Sequence, residues 1–276
     1  MMSKFKTALK WIIGGLAILY IVLLAAVYFL QRDFIYNPPK EYIAPDAMQL
    51  GMDEVDIGNG SMAWWAPPQP GKRTVIMFHG NASAIYSDHK IFQEIIAQGN
   101  GLMSVGYAGY PGQPGKATEK AIVADAIPQY DWVVSQGVDP RDIAFLGTSL
   151  GSGVASQVSV QREPALLILG APFESTYALG KERMPIFPVK LLMKDKWRSD
   201  LALRGKKMPL VWIHGTDDHV IPIKEGRRLY DEYTGPKSAF VIEGGHHDDL
   251  WQMGGREIVF DALDKMTSPG AEPATP

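Results

Sequence analysis

The chain has 276 residues, 46% of them hydrophobic, and carries 27 Lys and Arg against 30 Asp and Glu, a net charge of −3. That length suits one α/β domain of roughly 200–250 residues with a full core, and the lack of a basic excess argues against a nucleic-acid partner. No cysteine is present, which excludes disulfides, thiolate metal sites and a cysteine nucleophile.

Charge is unevenly spread. Lys4, Lys6, Lys10 and Arg32 against Asp33 give residues 1–33 a balance of +3, leaving −6 on the rest. From Trp11 to Leu30 the chain runs for 20 residues without a charge. As a helix this stretch is about 30 Å long, the thickness of a bilayer's hydrocarbon core. It has no polar face, which disfavours a buried core helix. A cleaved signal peptide has a shorter apolar region and a small-residue cleavage site, whereas here Ala25-Ala26 is followed by four more apolar residues. The expectation is an uncleaved anchor over 11–30, in contact with the lipid bilayer. Three lysines precede it and only Arg32, offset by Asp33, follows closely. The positive-inside rule then puts residues 1–10 in the cytoplasm and the large domain on the far side, periplasmic in a bacterium. Pro38, Pro39 and Pro45 mark residues 31–50 as an extended stalk.

The body, 51–266, alternates strands and helices. Met52-Ile57 and Ser61-Ala66 flank Gly58-Asn59-Gly60, a hairpin signal. Thr74–Phe78 is an apolar run that fits a strand covered on both faces and ends at His79-Gly80-Asn81-Ala82. A helix over 87–98, a strand over 102–107 and a helix over 118–136 follow, the last holding Pro128 as a possible kink. A strand over 142–146 leads to Gly147-Thr148-Ser149-Leu150-Gly151, with a helix over 150–161 after it. Strands are expected over 165–169, 209–213 and 239–242, and helices over 223–233 and 250–266. Residues 173–204 break the alternation with an apolar, lid-like insert, expected either to cover the site or to pack over the sheet. The tail 267–276 is expected to be disordered. Alternating βαβ units predict an α/β fold, a mostly parallel central sheet with helices on both faces, preceded by one transmembrane helix. Functional groups in such sheets gather at the carboxyl ends of the strands, where His79, Ser149, Asp218 and His246 all fall.

Gly147-Thr148-Ser149-Leu150-Gly151 fits G-x-S-x-G, the form of a nucleophile elbow in which a strand turns sharply into a helix with a serine at the tip. A serine hydroxyl needs a base within hydrogen-bonding reach, itself oriented by a third group. Carboxylates stand at Asp217 and Asp218, and histidines at His246 and His247. The order Ser, Asp, His is that of α/β-hydrolases and not of chymotrypsin or subtilisin. The same acids and histidines, with His219 and Asp248, offer a metal-like cluster, but a triad explains them with fewer assumptions. No cofactor and no metal is expected.

The domain resembles the α/β-hydrolase serine hydrolases, and is most similar to the single-span, membrane-anchored branch with acyl-protein thioesterases (depalmitoylases) and their bacterial relatives. The resemblance rests on Gln31-Arg32, Tyr36 and Pro38, His79-Gly80-Asn81-Ala82, Gly106-Tyr107-Ala108-Gly109-Tyr110 and the elbow. It continues through Ala171-Pro172-Phe173, His214-Gly215-Thr216-Asp217-Asp218 and Gly244-Gly245-His246-His247-Asp248. It implies Ser149 as nucleophile, Asp218 as orienting acid and His246 as base. The chain departs from the pattern at His247, usually Asn, and at Ala108, usually Arg. Backbone N–H groups of Leu150 and Asn81 are expected to form the oxyanion hole. His79 is assigned a structural role.

The expected activity is cleavage of carboxylic ester or thioester bonds of small-molecule or acylated, lipid-like substrates through an acyl-enzyme. An amidase or peptidase with the same triad, and a non-catalytic binding protein that keeps the fold, are the alternatives.

Overall fold

A computed structural model describes residues 2–58 and 60–266. The expected disordered tail 267–276 and Asn59 of the expected hairpin turn lie outside these residues. Eight strands form one sheet: β1 (Asp53–Asp56), β2 (Met62–Ala66), β3 (Thr74–Phe78), β4 (Gly101–Ser104), β5 (Ile143–Thr148), β6 (Leu166–Gly170), β7 (Leu210–Gly215) and β8 (Lys237–Ile242). Their order is β1-β2-β4-β3-β5-β6-β7-β8. The contacts of β2 with β1 and with β4 are antiparallel, and every other pair is parallel. This is the mostly parallel α/β sheet that the alternation predicts.

The central strands are buried, β3 and β6 along their whole length and β5 up to Thr148 at its carboxyl end, because both faces are covered. Successive side chains point to opposite faces. On one face Ile76, Phe78, Phe145, Leu167 and Leu169 pack with Ile122, Tyr130, Val154 and Val158. Those helix residues belong to α4 (Glu119–Ser135) and α5 (Leu150–Val158). On the other, Val75, Met77, Leu146, Ile168 and Ile213 pack with Ile91, Phe92, Val259 and Leu263, from α3 (His89–Ala97) and α10 (Arg256–Asp264). Helix α9 (Ile223–Glu232) adds Leu229 to the first face. Pro128 lies inside α4 without ending it. The expected closing helix begins later than predicted: residues 251–255 form a wide turn broken at Met253 and Gly254, and the regular helix starts at Arg256.

The N-terminal helix α1 runs from Met2 to Ile35, and its most apolar 18-residue window has a mean hydropathy of 2.6 with none of it buried. It is long and apolar enough to cross a membrane. It also continues five residues into the segment expected as an extended stalk. There Gln31 is buried, Arg32 pairs with Asp195 at 2.7 Å, and Trp197 Nε1 donates to the Tyr36 hydroxyl at 3.1 Å. Residues 36–50 are likewise held against the domain, with Tyr36 and Leu50 buried and a short helix α2 (Pro45–Met48) between them. The proline-rich sequence misleads because these contacts, all with distant residues, fix the path.

The insert carries three short helices, α6 (Thr176–Arg183), α7 (Val189–Leu192) and α8 (Ser199–Ala202). Its Asp195 accepts from the Glu119 N–H at the start of α4 and from Arg32 of α1. It is therefore tied to two helices.

Candidate active site

The elbow is built from β5 and α5. Ser149 sits between them at φ 54° and ψ −121°, the left-handed region that a side chain rarely enters. Its backbone is over-determined. The Ser149 N–H donates to Gly170 O at 2.9 Å, and its own carbonyl accepts from both the N–H and the hydroxyl of Ser152. The tight turn needs close backbone approach. A Cβ on Gly151 would stand 2.0 Å from Phe78 O, so no side chain fits there.

Asp218 follows β7 and His247 follows β8. The two strand ends approach so closely that a Cβ on Gly215 would meet Gly245 O at 2.1 Å. The Asp217 N–H donates to that same carbonyl at 3.0 Å. This brings the acid and the base loops together. His247 Nδ1 is 2.7 Å from Asp218 Oδ2, and His247 Nε2 is 3.0 Å from Ser149 Oγ. A carboxylate only accepts, so Nδ1 carries the proton and Nε2 is left to accept from the serine.

The site therefore corrects one expectation. Ser149 and Asp218 come together as the sequence implied, but the histidine between them is His247 and not His246. The ring of His246 turns outward, with Nδ1 3.1 Å from the carbonyl of Asp217, and its backbone N–H donates to Asp249 Oδ1 at 2.7 Å. Adjacent side chains diverge, so only one of the pair can face the cleft. Asp217 is not part of the constellation; its Oδ1 accepts from Thr216 at 3.2 Å.

Asp218 is buried. Burial raises its carboxyl, but hydrogen bonds from His214, His247 and the Ile221 N–H outweigh this and hold it well below the usual carboxylate range. Its Oδ1 accepts from the N–H groups of Val220 and Ile221 at 2.8 and 2.7 Å. His214 is fully buried behind it: Nε2 lies 2.8 Å from Ile221 O and 3.5 Å from Asp218 Oδ2. A strand-end histidine four residues before the acid was the signal available for it.

The serine opens into a cleft of about 360 Å³ lined by Gly80, Asn81, Ser83, Asp88, Val220 and Trp251, among others. The described residues that line it all lie outside 173–204. Asn81 borders the cleft, and its side-chain oxygen accepts from the Asn37 N–H at 2.7 Å and the Tyr110 hydroxyl at 3.2 Å. Leu150, the first residue of α5, is buried next to Ser149. His79 is buried with its ring 3.9 Å from that of Tyr107, and burial pushes it down to about 4 despite a bond to Gly80 O. Burial pushes the Asp88 carboxyl up to about 6, and the charge of His89 partly opposes this. Asp88, Val220 and Trp251 carried no sequence signal, since they reach the cleft only through loop packing. Among the described residues no group of three or more His, Asp and Glu is arranged to hold a metal ion.

A mostly parallel sheet with an elbow serine, an acid after β7 and a histidine after β8 defines the α/β-hydrolase class. No protein-family model matches the chain. It is 31% identical over 241 residues to an uncharacterized protein of Mycobacterium tuberculosis, covering 84% of this chain and 85% of that one. It is 26% identical over 227 residues to Alpha/beta hydrolase domain-containing protein 17B of Homo sapiens, covering 80% and 75%. Among solved structures, an esterase of Pyrococcus furiosus superposes with a TM-score of 0.68 at 18% identity, covering 85% of this chain and 98% of that one. The chain belongs to the α/β-hydrolase superfamily.

Proposed function

We propose that the protein is a membrane-anchored serine hydrolase that cleaves carboxylic ester or thioester bonds through an acyl-enzyme. The observation that carries this reading is the continuous line from Asp218 to His247 to Ser149, with contacts of 2.7 and 3.0 Å. Ser149 Oγ attacks the carbonyl carbon as its proton passes to His247 Nε2. Asp218 holds the ring and stabilises the imidazolium. The N–H groups of Leu150 and Asn81 receive the oxyanion. The tetrahedral intermediate collapses as His247 returns the proton to the leaving alcohol or thiol, and water, activated by the same histidine, then releases the acid. The anchor is α1 over residues 11–30, with residues 1–10 in the cytoplasm and the domain beyond the membrane, as three preceding lysines favour. Both the esterase fold likeness and the apolar helix support an acyl or lipid-like substrate.

The test is labelling of the purified full chain by a fluorophosphonate probe beside Ser149→Ala, followed by p-nitrophenyl esters of rising chain length and the matching anilides. Labelling that disappears in the variant, with esters cleaved and anilides not, is the expected result. A folded protein that takes up no label would make this a binding protein. Faster cleavage of anilides would make it an amidase.

A further inference from the structure

The apolar helix is not free of the domain along its whole length. Residues 4–23 are exposed throughout, whereas Leu24, Val27, Tyr28 and Gln31 lie along one helix face and are partly or fully covered or bonded. The insert is what they meet. Gln31 Nε2 donates to Leu192 O at 3.1 Å, and Gln31 Oε1 accepts from the Lys194 N–H at 2.7 Å. Lys194 Nζ lies 4.0 Å over the ring of Tyr28. Further along, Tyr20 donates to Ile186 O at 2.7 Å and stacks on Phe187 with ring centroids 6.0 Å apart.

Tyr20 is the midpoint of the uncharged run 11–30. From Leu30 back to Tyr20 is ten residues, about 15 Å of helix, the depth of one leaflet's hydrocarbon. We infer that the insert is a membrane-embedded wedge: residues 184–192 enter the domain-side leaflet alongside α1, with bilayer acyl chains as the occupant of its outer face. The inference rests on the anchor reading above. Any bilayer placed around 11–30 must accommodate whatever touches Tyr20.

The surface of the insert fits that setting. Ile186 is 69% exposed and Leu191 81% exposed, an unfavourable display in water on adjoining short segments. Lys194 and Tyr28 stand about 12 Å nearer the domain than Tyr20, at the level where a cation and an aromatic ring meet headgroups. Residues 173–204 hold seven Lys and Arg against four Asp and Glu, although residues 34–276 as a whole carry −6. A basic rim draws the wedge to anionic headgroups. At the insert's other end Arg183 donates to Val220 O, and Val220 lines the cleft. On the hydrolase reading, the acyl substrate is one already resident in that leaflet.

The absence of native cysteine allows a clean test. Ile186→Cys, Leu191→Cys, Leu16→Cys and Gln136→Cys of the full chain are each labelled with an environment-sensitive fluorophore. The proteins are reconstituted into phosphatidylcholine–phosphatidylglycerol vesicles. Quenching by lipids brominated on the acyl chain is compared with quenching by aqueous iodide. Positions 186 and 191 are expected to be quenched by brominated lipid to the same degree as position 16 and shielded from iodide, with position 136 showing the reverse. Iodide access at 186 and 191 beside lipid quenching at 16 would overturn the wedge and leave the anchor standing. Iodide access at 16 would overturn both. Lipid quenching at 186 and 191 in a protein inert to every acyl ester would keep the wedge and defeat the hydrolase reading.

Discussion

His247 Nε2 stands 3.0 Å from Ser149 Oγ across 98 residues of sequence, while the neighbouring His246 ring faces the carbonyl of Asp217. One peptide unit separates a ring in contact with the Ser149 hydroxyl from an exposed side chain. Replacing each in turn discriminates between them. His247→Ala is expected to lower kcat by about 10⁴-fold or more with KM little changed, as loss of a triad base does elsewhere. His246→Ala should stay within a few-fold of the parent. Steady-state hydrolysis of an activated ester measures both.

Asp218 meets His247 through a buried 2.7 Å bond. Asp218→Asn should cost about 10⁴ in kcat by favouring the wrong tautomer. Asp217→Asn, whose carboxylate accepts from Thr216 and not from His247, should be close to neutral. Equal losses in the two variants would contradict the assignment of the acid.

Gly151 has no room for a Cβ, which would meet backbone of Phe78 and His79 on a central strand that cannot yield. Gly151→Ala is expected to destabilise the domain by about 2 kcal/mol or more, as overpacking does, and to shift the elbow. Denaturant unfolding gives the stability, and fluorophosphonate labelling of the folded fraction reports the elbow. An unchanged midpoint with full labelling would show that the turn relaxes.

His79 is neutral in the fold, pushed by burial from 6.5 to about 4. Between those values the unfolded chain binds the proton and the folded chain does not, so stability falls as pH drops from 6.5 through about 4 and is fully present above 6.5. The span corresponds to about 3 kcal/mol. Asp88, pushed up to about 6 from 3.8, acts with the opposite sign over part of the same range. The difference in unfolding free energy between the parent and His79→Gln, followed from pH 7 to pH 4, should shrink as pH falls. A constant difference would mean that His79 titrates normally.

Asp195 joins the insert to α1 and α4, and its side chain is only 6% exposed. Asp195→Ala removes the partner of Arg32 and leaves the Glu119 N–H without that acceptor, a loss of about 1–3 kcal/mol. Faster cleavage within 184–193 by a low dose of protease is the expected sign. Unaltered cleavage would mean that the apolar contacts alone hold the insert.

The sheet was legible because its code is local. Runs such as Thr74–Phe78 and Leu166–Gly170 are apolar on both alternating faces, which only a strand covered twice can bury, and glycine marks the elbow because its turn excludes a Cβ. The apolar length of 11–30 is equally a property of the chain itself. The choice between His246 and His247 was not legible, since both follow Gly244-Gly245 and the phase of that turn depends on where β8 stops against β7. The path of 31–50 and the docking of the insert were hidden for the same reason: Arg32 with Asp195, Tyr36 with Trp197 and Tyr20 with Ile186 are each separated by more than 160 residues. Sequence by itself determined most of the elements, the elbow that holds Ser149 and the apolar span, because short-range pattern and steric exclusion decide them. Tertiary structure alone decided which histidine meets the serine and what lies against the span, because those depend on contacts that exist only once the sheet has closed.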